Sequence, residues 1–128
     1  MNENRGANAN YARNPRKTPY YSPKQVSGPM PGLSAEDFVM RDPFGNPYMI
    51  TLDMNDDNKC RDAFYEKAGV SQRAPGDNVG FYGLSRANPG ASFEVPGSVM
   101  IWTFGPDKKA GNVKANEDPN KDNILSWQ

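Results

Sequence analysis

Histidine does not occur in the 128 residues, and cysteine occurs once, as Cys60. The first absence removes the commonest general base near neutral pH and the commonest transition-metal ligand. No Ser-His or Cys-His pair can be built, so nucleophilic catalysis of that kind is excluded. The second absence excludes an internal disulfide. A lone Cys60 reads as a small buried apolar residue, and it leaves the compartment open. No apolar run approaches the length of about 18 residues that a membrane-spanning helix needs. The opening MNENRGANANYARNPRK has no apolar stretch of the kind a secretory signal carries, so the chain taken alone reads as cytoplasmic. Charge of one sign is also missing: 15 basic and 15 acidic residues cancel, which argues against a general nucleic-acid footprint. No cleft signal singles out a pair of carboxylates for glycosidase chemistry. GFYG is too short for a phosphate loop and lacks the following Lys-Ser/Thr. The expectation is a protein that is not an enzyme.

Turns and rings are abundant instead. Twelve prolines and twelve glycines punctuate the chain, and two tryptophans, six tyrosines and six phenylalanines supply large buried area to a small core. One domain is the default at this length. Residues 1–33 show neither helical nor strand period. They read as an extended, loop-rich segment, with one short strand expected near Thr18 to Ser22. The segment is basic, through Arg5, Arg13, Arg16, Lys17 and Lys24, whereas the acids gather in later loops. Such a segment is a solvated face or a subunit contact more often than a nucleic-acid arm.

Residues 34–128 read as a small antiparallel sheet of three to four strands with long loops. GLSAEDF suggests a turn or a single helical turn, with Ser34 as its N-cap. In YMITLDM, Tyr48, Ile50, Leu52 and Met54 share one face and Met49, Thr51 and Asp53 the other, the pattern of a half-buried strand. CRDAFYEKAG suggests one or two helical turns ended by Gly69. NVGFYGLSR is a strand candidate weakened by two glycines. SVMIWTF is the strongest strand and is apolar on both faces, so it needs cover on both sides. NILSWQ closes as a short last strand. The sequence holds no long amphipathic helix to supply the missing cover.

Two acidic groups are candidate ion sites. Asp53, Asn55 and Asp57, with Asp56, follow the D-x-N-x-D spacing that opens a calcium loop, in which alternate oxygens converge on one ion. Asn58 and Phe64 stand where that loop needs glycine and glutamate, so a solvated turn is the competing reading. The second group, Asp107, Glu117, Asp118 and Asp122, lies in the polar loop between Trp102 and Trp127. An ion bound at both ends of that loop would fix it and hold Trp127 down. Tyr20-Tyr21 and Phe81-Tyr82 have the ring chemistry to stack on sugars or bases, with core or interface packing as the competing reading.

Four segments, RNPRKTPYYS, DPFGNPYMITLDMNDDNKCRD, VMIWTFGPD and NKDNILSW, occur in an order that resembles the globular part of a type II secretion major pseudopilin, a member of the prepilin-type superfamily. DPFGNPY is similar to the family's D-P-W-G-x-P-Y turn, with Phe44 in place of Trp. VMIWTFGPD is similar to its strand ending in W-S-x-G-x-D, and NKDNILSW to its closing N-x-D-I-x-x-W. The resemblance covers residues 11–128. It implies an α+β pilin-like fold in which a long N-terminal helix, absent from this chain, packs on the small sheet. It also implies a non-catalytic homo-oligomer in a helical filament on the periplasmic face of the inner membrane, working with minor pseudopilins and the inner-membrane secretion platform. The export signal would lie in the missing helix. The family's closing loop binds one calcium ion. Carried over, the ligands are Asp107, Asp122 and the main-chain carbonyl of Phe104, with Asp53, Asn55 and Asp57 as a second candidate set. Lys108, where the family has glycine, and KANEDPN depart from the pattern. Subunit pairing between the basic N-terminal segment and the acidic loops is a further expectation. A type IV pilin-like surface filament and a secreted carbohydrate-binding module are the alternatives.

Overall fold

The computed structural model describes residues 9–19 and 21–128. Alternation in the sequence becomes sheet where turn chemistry lets two alternating runs meet. β1 (Gln25–Val26), β2 (Gly32–Ser34) and β3 (Met40–Arg41) form a first small sheet, β1 parallel and β3 antiparallel to β2. It straddles position 33, so the N-terminal segment and the rest of the chain share it. β4 (Met49–Leu52), β7 (Val99–Thr103) and β8 (Ile124–Leu125) form the main antiparallel sheet in the order β4-β7-β8. Its register sets Met49 opposite Trp102, Ile50 opposite Ile101, Leu52 opposite Val99 and Thr103 opposite Ile124. β5 (Lys59–Cys60) and β6 (Val95–Pro96) make a third, two-stranded ribbon. The described residues are therefore small sheets and loops with a single short α-helix, α1 (Ala68–Ser71).

The main sheet has two unlike faces. Met49, Thr51, Met100, Trp102 and Leu125 point inward, with Met100 fully buried and Trp102 4% exposed. They meet Cys60, Tyr65, Val70, Leu84, Phe93, Val95 and Ala115. The larger of these, Val70, Leu84, Phe93 and Met100, each contribute about 1.5–3 kcal/mol by leaving water. The opposite face carries Ile50, Leu52, Val99, Ile101, Thr103 and Ile124; Thr103 is buried at one end, and the rest is open, with Ile50 58% and Leu52 55% exposed. The alternation that predicted a half-buried strand is real, but the aliphatic row of β4 faces solvent and its Met-Thr row faces the core.

Three local expectations need correction. Among the described residues there is no strand from Thr18 to Ser22; the first strand is β1, and Tyr20 and Arg5 lie outside the described residues. Gly69 does not end a helix but sits inside α1, because residues 62–66 close as an isolated turn, with Glu66 N–H donating to the Asp62 carbonyl at 2.8 Å. NVGFYGLSR is not a strand: Phe81–Gly83 is a 3₁₀ turn with Tyr82 at φ 54°, flanked by single bridges from Val79 and Ser85. Gly80 packs against Phe93, where a Cβ would meet the ring at 3.0 Å. Ser34 caps a turn as expected, its hydroxyl accepting from the N–H of Glu36 at 3.2 Å. No helix of the described residues is long and apolar enough to cross a membrane.

Candidate functional site

The three segments DPFGNPY, WTFGPD and NKDNILSW converge at one place, the end of the main sheet from which the C-terminal loop departs. Asp42 opens the first. Its Oδ1 accepts from the N–H of Phe44 at 2.9 Å and of Asn46 at 2.8 Å, and its Oδ2 accepts from Asn46 Nδ2 at 3.0 Å. Asp42 is 1% exposed. Burial pushes its carboxyl up, but donors from Asn46, Thr103 and the backbone outweigh it and hold it below the ordinary carboxylate value of 3.8. Asn46 then reaches across 59 positions, donating from Nδ2 to the Gly105 carbonyl at 2.8 Å. Gly105, at φ 68°, lies so close to the Asp122 carbonyl oxygen that a Cβ would overlap it. Only glycine suits both that conformation and that approach.

The proposed ion ligands Asp107 and Asp122 are brought together here. Asp122 Oδ2 accepts from the Asp107 N–H at 3.2 Å, while Asp122 Oδ1 is buried and has no hydrogen-bond partner. The Asp107 carboxylate accepts from the Lys109 N–H at 2.8 Å. Phe104 directly precedes Gly105. The orphaned Asp122 oxygen is the kind of acceptor that a hard cation suits, but Asp107 meets Asp122 through its backbone N–H and turns its carboxylate to Lys109. Among the described residues no three of His, Cys, Asp or Glu are grouped to hold a metal. Glu117 and Asp118 lie elsewhere on the loop, Asp118 pairing with Lys121 at 2.9 Å.

The loop is held chiefly by a residue the sequence reading passed over. Asn120, 1% exposed, accepts from Gly111 N–H at 2.8 Å and donates to the carbonyls of Gly111 and Val113, each at 2.8 Å. Ala115 N–H donates to the Val70 carbonyl at 2.8 Å, and Tyr82 Oη to the Ala115 carbonyl at 3.2 Å. Tryptophans at both ends of the loop meet one ring. Tyr65, fully buried, takes Trp102 edge-on at 5.2 Å and Trp127 edge-on at 5.3 Å. Burial pushes the Tyr65 hydroxyl up to about 12, partly offset by donation from Asn123 Nδ2 at 2.9 Å. Phe81 and Tyr82 pack against the core.

The second candidate set is also assembled, as a turn. Asp53 Oδ1 accepts from the N–H of Asn55 at 3.2 Å and Asp56 at 2.9 Å, and Oδ2 from Asn58 N–H at 2.8 Å. Asn55 Nδ2 donates to Asp57 Oδ2 at 2.9 Å. The spacing that resembles a calcium loop here serves backbone donors of its own turn.

Asp62 was not singled out in the sequence, yet four donors converge on its carboxylate in the core. Oδ2 accepts from Trp102 Nε1 at 3.1 Å and Thr51 Oγ1 at 3.0 Å, and Oδ1 from the N–H of Phe64 and Tyr65. All four donors fix geometry, so its role is structural. Cys60 is fully buried, and burial pushes its thiol up, away from the reactive thiolate. No family model, no curated protein and no solved structure matches this chain.

Proposed function

We propose that this protein is a non-catalytic structural subunit of a type II secretion pseudopilus, polymerising in the periplasm to drive export across the outer membrane. The observation that carries the reading is the open face of the main sheet. Ile50, Leu52, Val99, Ile101 and Ile124 line it, and three of them are at least 49% exposed. Three strands span about 10 Å from first to last, and an α-helix with side chains is about 10–12 Å across. The face is therefore one helix wide, as the seat of the pseudopilin spine helix must be. The convergence of the three family-like segments at one junction supports the same reading. It gives each segment a structural reason to resemble the family's.

In this reading Asp107, Asp122 and the Phe104 carbonyl hold a calcium ion, which supplies charge neutralisation for the buried Asp122 oxygen and ties the loop ends. Homo-oligomerisation into a helical filament, with minor pseudopilins and the inner-membrane platform as partners, belongs to the same proposal. A type IV pilin-like filament would use the same scaffold. The carbohydrate-binding alternative loses its tryptophan platform, because Trp102 is buried and Trp127 packs on Tyr65. The test is replacement of Leu52 and Ile50 by Asp in the source bacterium's own copy. Filament assembly should fail and exported proteins should accumulate in the periplasm. Normal export with the variant protein present at normal levels would overturn the proposal.

A further inference from the structure

We propose that the hollow between residues 85–87 and the β5–β6 ribbon binds a single oxyanion, a phosphate or carboxylate group, with the Arg86 guanidinium as its anchor. The site stands independently of the filament reading. Among the described residues Arg86 is the one buried cation, 9% exposed. Arginine is rarely buried that far unless an acid pairs with it. Here none does: among the described residues the cations in ion pairs are Arg41, Lys59, Arg61 and Lys121. The Arg86 Nε–H donates to the Asp77 carbonyl at 3.1 Å, and the guanidinium lies over the Phe93 ring, 4.8 Å from its centroid. The Arg86 backbone N–H donates to the Asn78 carbonyl at 2.9 Å. These ties hold one edge and one face of the guanidinium plane. Its two terminal nitrogens donate to no group among the described residues, and they are not sealed from solvent.

The hollow that Arg86 lines has a volume of about 170 Å³. A water takes up about 30 Å³ of the liquid, so a group of three or four oxygens fits. Lys59 and Ser85 line the same hollow, and Ala87 and Pro96 close its sides. Glu94 is the acid in its wall. Glu94 Oε1 accepts from Lys59 Nζ at 2.7 Å and Oε2 from Arg61 at 3.2 Å, so both of its oxygens are taken. Asp57, the next acid, lines a separate hollow with Leu52 and Met54, and accepts from the Lys59 N–H and Asn55 Nδ2. Asp77 meets Arg86 through its carbonyl. Lys59, Arg61 and Arg86 thus share one acid at this hollow, and Arg86 is the cation left over. The free end of a guanidinium presents two parallel N–H groups, which match two oxygens of a carboxylate or phosphate. A side chain already pinned by a carbonyl and a ring loses little entropy when it binds.

The test titrates the ¹⁵N-labelled chain with sodium phosphate, and separately with sodium acetate, at an ionic strength held constant with chloride. The Arg86 Nε–H and the amides of Lys59, Ser85 and Ala87 are followed by NMR. Their signals should shift together and saturate, and the anion that saturates at the lower concentration names the preferred group. Arg86→Lys keeps the charge but loses the paired donors, and should raise the half-saturating concentration about tenfold. Glu94→Gln removes the acid from the wall and should lower it about threefold. Thermal unfolding checks that each variant folds; if Arg86→Lys does not, the Arg86 Nε–H signal of the unaltered chain and the Glu94→Gln titration decide. Shifts that never saturate, shifts as large at Lys108 and Lys109, or unchanged affinity in a folded Arg86→Lys chain would each overturn the site.

Discussion

Single residues in this protein carry contacts that span the chain. Asn46 is the clearest case, because one amide serves both the Asp42 turn and the Gly105 carbonyl. Asn46→Ala leaves a buried carboxylate oxygen and a buried carbonyl short of a donor. It should cost about 2–4 kcal/mol in urea unfolding, with the midpoint falling and the slope unchanged. The pH dependence follows from Asp42. Its folded carboxyl lies below the ordinary value of 3.8, so it binds protons more weakly folded than unfolded. The stability it contributes is present above pH 3.8 and is lost as the pH falls through the lowered folded value. Asp42→Asn should flatten that acid limb; an unchanged limb in urea titrations below pH 4 would assign it to other carboxylates. DPFGNPY was legible as a turn, because Asp-Pro and Asn-Pro fix local conformation. That Asn46 would bridge to Gly105 was not legible, since no local rule reaches across 59 positions.

At the scale of the element, strand signals served better than helix signals. The alternation of YMITLDM and SVMIWTF gave β4 and β7, and NILSWQ gave β8. The reading of CRDAFYEKAG as a helix ended by Gly69 gave way to a turn and a later α1, because Asp62 takes the N–H groups of Phe64 and Tyr65. A side chain that accepts those donors competes with helix propagation. Which face of β4 is inside also depended on partners: Met100 and Trp102 on β7 fill the core with Met49 and leave Ile50 and Leu52 outside. Truncation should report this asymmetry. Met100→Ala should cost about 2–4 kcal/mol by leaving a cavity. Leu52→Ala should stay within about 0.5–1 kcal/mol in the isolated chain. Comparable losses at both sites in denaturant melts would mean that the open face is covered.

For the whole molecule, the C-terminal loop is a strap whose ends close on the Tyr65 ring and whose middle is tied by Asn120. The proposed ion at Asp107 and Asp122 would add to these ties instead of replacing them. Calcium at about a hundredfold excess over its Kd should stabilise the fold by about 2.7 kcal/mol, a Tm rise of several degrees. Asp122→Ala should abolish the rise while leaving the Asn120 ties. A scan in which calcium and chelator give the same Tm for the folded protein would remove the ion from the loop.

The sequence by itself determined strands β4, β7 and β8, the turns around them and the segments that look pseudopilin-like, because periodicity and turn chemistry act over a few residues. Only the tertiary structure decided which apolar row is buried, that Asp62 and Asn120 are the polar hubs, and that three separated segments meet around Gly105. Those outcomes depend on which distant donors and rings share a volume, and hydrogen bonding and packing fix that only when the whole chain has closed.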